Sequence, residues 1–173
     1  MERTRLNNLI TFLKALENTI RYEFNISTFE DRLRLQKIVY IAKHFGIDLG
    51  YSYNLYLRGP YSPELARDYY TLYEQFRGEL PRVPPDVLDN LVNNRNFSRF
   101  INVMSNYYSN PRMLELIATL LMLMDKYSLS PSDLTKDTKI ALVNTVHAMK
   151  PYFSKQEIAK VLDITLNEII DQM

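Results

Sequence analysis

The segment that most constrains this chain is the helix expected between Ser27 and Gly46. Leu33, Leu35, Ile38, Val39, Ile41, Ala42 and Phe45 cover most of its circumference, and a helix apolar nearly all round lies inside a core rather than on its surface. Ser27-Thr28-Phe29-Glu30 fits a capping box, with Ser27 as the cap and Glu30 reaching back, and Gly46 supplies a stop. The helix also carries Arg32, Arg34, Gln36, Lys37 and Lys43. Each of these must reach a narrow solvent edge or find a polar partner, because an unpaired buried polar group is costly.

After this helix the period of the pattern changes. Tyr51, Tyr53, Leu55 and Leu57 alternate with Ser52, Asn54, Tyr56 and Arg58, as in a half-buried strand. Gly59-Pro60 ends the alternation. Ser62 then suits an N-cap, Pro63 the first helical position, and Glu64 the positive end of the helix dipole. Leu65, Tyr69, Leu72, Tyr73 and Phe76 give that helix an apolar stripe, closed at Gly78. A lone strand leaves its amides unpaired. The nearest partner in sequence, Glu79–Pro85, carries prolines at 81, 84 and 85, which weaken a ladder. One strand edge is therefore expected to be open, covered either by a second copy in a homodimer or by a strand from another protein.

Leu35-Gln36-Lys37 opening an apolar helix, then a strand, then Gly59-Pro60 followed by Pro63-Glu64-Leu65, resembles the SocA-like antitoxin family, also called the Panacea domain. It is more similar still to bacterial and archaeal relatives in which Gly-Pro-Tyr-Ser-Pro-Glu-Leu fills this place, as residues 59–65 do here. Typical antitoxins of the family carry a small aliphatic residue where Tyr61 stands. The resemblance implies a mostly helical, non-enzymatic domain that attaches to a protein partner, often a toxin that it neutralises. It also implies that Leu35, Gln36, Lys37, Gly59, Pro60, Ser62, Pro63, Glu64 and Leu65 form the structural framework of the motif.

The rest of the chain supplies elements to wrap the buried helix. Residues 2–22 read as an amphipathic helix with Leu6, Leu9, Ile10, Leu13, Leu16 and Ile20 on one stripe. Residues 86–93 and 96–108 read as two short helices. Pro111 starts a further helix to about Tyr127 that is apolar almost all round and belongs beside the first buried one. Two more helices follow, one from about Lys136 and one opened by Ser154-Lys155-Gln156-Glu157. The expected fold is mainly α: a single-domain bundle of about seven helices with a short β-strand or hairpin near residues 51–58.

The totals narrow the function classes. A formal net charge of +1, with the signs interspersed along 173 residues, lacks the basic bias of a non-specific nucleic-acid binder. The absence of cysteine fits a reducing, cytoplasmic setting. The first helix is amphipathic rather than a signal peptide, and the longest apolar run, Leu116–Met124, is too short to span a bilayer. With four glycines, at 46, 50, 59 and 78, neither a P-loop nor a dinucleotide fingerprint can be built. His44 and His147 are each expected to be satisfied by a neighbour, and no metal-ligand spacing or nucleophile elbow occurs. No cofactor and no catalysis are expected.

Seven of the thirteen tyrosines fall between residues 51 and 73. Tyrosine combines a large apolar face with a polar tip, and so serves both cores and interfaces. Tyr56, Tyr61 and Tyr70 lie off the apolar stripes, and with Arg58 they are expected to form a patch that contacts a protein partner. The rival reading is DNA-linked regulation through residues 156–169, where Ala159, Asp163 and Ile169 are spaced as in a helix-turn-helix. That second helix would present Asn167, Glu168 and Asp171 to the phosphates, and both carboxylates would be repelled.

Overall fold

The computed structural model describes residues 2–172 and is built around two helices. These are α2 (Phe29–His44) and α6 (Pro111–Lys126), which pack side by side along the core. Leu35, Ile38 and Ile41 of α2 and Leu116, Ile117 and Leu120 of α6 are fully buried. Both are the nearly all-apolar helices of the sequence. Burial on every side is the arrangement that removes most of their surface from water, about 25 cal/mol for each Å² of apolar area.

Around this pair lie α1 (Glu2–Ile20), α3 (Pro63–Phe76), α4 (Pro85–Val92), α5 (Arg95–Tyr107), α7 (Lys136–Met149) and α8 (Lys155–Ile164). The protein is therefore mainly α, with eight α-helices and one two-stranded antiparallel hairpin among the described residues. Helix α1 packs on α4 and α5, while α7 and α8 close the far side of α6. Among the described residues no helix is long and apolar enough to cross a membrane.

Three local expectations are corrected. The cap of α2 is Thr28, one residue later than expected: its hydroxyl accepts from the Asp31 amide at 3.1 Å, and the Asp31 carboxylate accepts from the Thr28 amide at 3.1 Å. Thr28 and Asp31 offer the same chemistry as Ser27 and Glu30, one step along. Helix α3 ends through Arg77 in the left-handed region, and Phe76 is partly exposed rather than buried.

The third correction concerns the strand. It is short, β1 (Asn54–Tyr56), and its partner is not the proline-rich segment but β2 (Gly59–Tyr61), with Leu55 opposite Pro60. The signal that reads as a strand stop is the hairpin itself. Leu57 and Arg58 form the turn, neither with positive φ, and the left-handed step falls on Gly59 at φ +89°. A turn followed by a left-handed glycine is a standard hairpin connection. Pro60 has no amide to donate and is tolerated because the sheet has only two strands.

Candidate functional site

The residues of the family-like motif act as a latch between α2 and the hairpin. The Gln36 amide is buried and makes two hydrogen bonds to one residue: Nε2 donates to the Ser62 carbonyl, and the Ser62 amide donates to Oε1, both at 2.9 Å. Ser62 is also the N-cap of α3, accepting from the Leu65 amide at 3.2 Å and donating to Glu64 Oε2 at 3.0 Å. Lys37, 2% exposed, donates from Nζ to the Pro60 carbonyl at 2.5 Å. The two buried polar residues of α2 thus satisfy backbone groups of residues 60 and 62. Pro63 occupies the first turn of α3, and Leu35 and Leu65 are fully buried.

Gly59 sits where the hairpin meets the core. A Cβ at this position would lie 2.7 Å from Thr119 Oγ1 and 3.4 Å from Lys37 Cε. Positive φ and close approach both require glycine here.

Beneath the hairpin tip lies an ionic cluster that sequence reasoning missed. Glu115 of α6 is 3% exposed. Its Oε1 accepts from Lys150 Nζ at 2.7 Å and from the Tyr152 hydroxyl, and its Oε2 lies 3.6 Å from Arg58 Nη1. Lys150, fully buried, also donates to the Leu57 carbonyl at 2.5 Å. One carboxylate therefore ties the turn, α6 and the α7–α8 connection together. Its signal in the sequence is a lone acidic residue within the apolar stretch Leu114–Met124. Burial pushes the Lys150 ammonium down against the opposing pull of Glu115. Burial also pushes Lys37 down to about 7, with Glu115 raising it and Lys150 lowering it further.

The outer face of this assembly is a groove of about 380 Å³. Helix α2 contributes Phe29, Arg32, Leu33, Gln36 and Lys37; the hairpin contributes Tyr56, Leu57, Arg58, Gly59 and Tyr61; α3 contributes Tyr69 and Tyr70. All four residues expected at a partner surface, Tyr56, Arg58, Tyr61 and Tyr70, line it. Tyr56 and Tyr70 are 49% and 45% exposed, and the Arg58 side chain 48%. Tyr61 differs from the other three: it is half-buried, packed on the core and edge-on to Tyr56 at 5.3 Å. Three apolar residues join the patch without having been singled out in the sequence. Phe29 is 54% exposed, Leu57 72% and Tyr152 40%. The Arg58 guanidinium stacks over Tyr152 at 4.7 Å and over Phe29 at 5.8 Å.

Both histidines have neighbours, as expected: His44 Nε2 lies 2.8 Å from Asp125 Oδ2, and His147 Nδ1 lies 2.8 Å from the Phe153 carbonyl. No group of His, Cys, Asp and Glu able to hold a metal occurs among the described residues. The supposed helix-turn-helix at residues 156–169 has no turn. Asp163 lies within α8, which runs on through a π turn at Thr165–Ile169. Comparison with protein-family models, curated proteins and solved structures finds no match.

Proposed function

We propose that this chain is a non-enzymatic protein-interaction module whose contact surface is the groove between α2, the hairpin and α3. The observation that carries this reading is the exposed cluster Phe29, Tyr56, Leu57, Arg58 and Tyr70 around one concavity. Aromatic side chains and arginine dominate the energetics of protein interfaces, and contiguous exposed apolar surface is unusual on a free monomer. The latch and the ionic cluster hold the backbone beneath this surface, so the contact residues are presented on a fixed frame and little ordering is needed on binding. The motif resemblance makes a toxin one candidate partner, with the module acting as its antitoxin; a regulatory adaptor would use the same surface.

The test is co-purification of the tagged full-length chain from its native host beside a Phe29→Asp/Tyr70→Asp variant with an unchanged melting curve. A stoichiometric partner held by the wild type and lost by the variant is the expected result. A partner retained by the variant overturns the assignment of the surface. Growth arrest by that partner alone, relieved on co-expression, would make the pair toxin and antitoxin. Tight binding to mixed-sequence duplex DNA that weakens steeply with salt would instead favour the rival regulatory reading.

A further inference from the structure

The groove has an electrostatic asymmetry that its apolar rim conceals. Among the described residues Arg32, Lys37 and Arg58 line it, and no carboxylate does. Behind it, among the described residues, Glu115 is the anion beside Lys37, Lys150 and Arg58. Both Glu115 oxygens are engaged elsewhere: Oε1 by Lys150 and Tyr152, Oε2 by Arg58. Among the described residues the Lys37 ammonium, which carries three donors, has one hydrogen-bond acceptor, the Pro60 carbonyl. A nearly buried cation left with spare donors at the bottom of a concavity is a site short of one anion.

We propose that the floor of the groove is an anion subsite that receives a carboxylate side chain from an acidic, apolar segment of the protein partner, with Lys37 and Arg58 as its cationic walls. The inference rests on the interaction reading above and gives it a chemistry. The apolar residues of the segment would lie against Phe29, Leu57 and Tyr70, while its carboxylate goes inward. A single negative charge suits the site better than a phosphate dianion, because the remaining donors are few and the walls are largely tyrosine and leucine. With a net charge of +1 over the whole chain, there is no broad basic field to favour a nucleic-acid backbone or an anionic membrane.

Proton linkage gives the subsite a signature. The charges acting on Lys37 are Glu115 from α6 and Lys150 from the α7–α8 connection, while Arg32 of α2, Arg58 of the turn, Tyr61 and Tyr69 line the same groove. Burial holds Lys37 near neutrality, so an incoming carboxylate restores its proton. Binding should therefore take up protons at neutral pH and weaken as the pH rises.

The experiment is selection of a displayed random-peptide library on the immobilised full-length protein, against a Leu57→Asp/Tyr70→Asp control. The consensus peptide is then synthesised with its acidic residue and with the matching amide, and its binding is followed by fluorescence anisotropy. The expected consensus pairs Asp or Glu with aromatic or aliphatic residues. The acidic peptide should bind at least about tenfold more tightly than its amide, as for a charge-assisted contact. In Lys37→Met that preference should collapse to about twofold, and between about pH 6.5 and pH 8.5 the acidic peptide alone should weaken. Arg58→Gln, at a half-exposed position, is the second variant should Lys37→Met fold poorly, and it too should lower the preference. Equal binding of acid and amide, a neutral or basic consensus, or no enrichment over the control each overturns the anion subsite. The interaction surface itself is judged separately, by the co-purification above.

Discussion

Gly59→Ala isolates the close packing of the hairpin on the core. Two contributions can be separated because Gly50 provides a matched control. Gly59 has φ +89° and Gly50 has φ +81°, so alanine at either position meets similar backbone strain, on the order of 1–2 kcal/mol. The surroundings differ. A Cβ at Gly50 would meet nothing within 4 Å, whereas one at Gly59 would lie 2.7 Å from Thr119 Oγ1 and 3.6 Å from the Glu115 carbonyl. Neither neighbour can give easily, since Thr119 is buried and its hydroxyl donates to the Glu115 carbonyl at 2.7 Å. Overpacking of this kind adds about 1–3 kcal/mol. Gly59→Ala should therefore destabilise by about 2–5 kcal/mol and Gly50→Ala by about 1–2 kcal/mol. Urea denaturation of the two variants measures the difference. Removing the obstructing hydroxyl should recover part of it, so Gly59→Ala/Thr119→Ala should be less destabilised than the sum of its single variants, by about 0.5–3 kcal/mol. Equal losses at the two glycines, or strict additivity with Thr119→Ala, would refute the argument that the hairpin is clamped sterically on α6.

Alanine at Leu35, Ile38 or Leu65, all fully buried, should lower stability by about 2–5 kcal/mol each, read from the same denaturation curves. Arg58→Ala and Tyr70→Ala, at half-exposed positions, should stay within about 1 kcal/mol of wild type; large losses would move these residues from the contact surface into the framework. Because burial depresses Lys37 to about 7 in the folded state, the unfolded chain binds the extra proton between there and the ordinary lysine value. Stability should therefore rise as the pH increases from about 7 towards 10, by an amount on the order of a few kcal/mol, and Lys37→Met should flatten that rise. Self-association through the outer edge of β1 is testable by light scattering: if that edge makes the contact, Leu55→Pro, which removes a ladder amide, should turn a dimer into a monomer. A wild-type monomer with no strand-donating partner would end that idea.

The sequence made the helices legible because their apolar periodicity and caps are local properties. Asn110, Thr135 and Ser154 each cap the helix that follows them in the chain. The hairpin was harder to read because the same two residues carry opposite signals. Gly59-Pro60 normally stops a strand; here it pairs with β1, and residues 60 and 62 are held on α2 by contact with Lys37 and Gln36. That contact spans more than twenty residues of chain, and no local pattern encodes it. The same limit applies to Glu115 and Lys150, thirty-five residues apart. In one dimension each is an ordinary charged residue in or beside a helix; in the fold they share a buried bond beneath the turn. The exposed tyrosines were legible for the converse reason. A large aromatic residue placed off an apolar stripe has no core to enter, so Tyr56 and Tyr70 could be assigned to the surface from spacing alone. Tyr61 breaks the rule because it lies on β2, where Lys37 draws the Pro60 backbone against α2 and brings the next side chain down onto the core. A framework residue can thus decide whether its neighbour in sequence is available to a partner. Lys37, bonded to the Pro60 carbonyl and lining the groove, is where the fold and the proposed binding are most closely coupled.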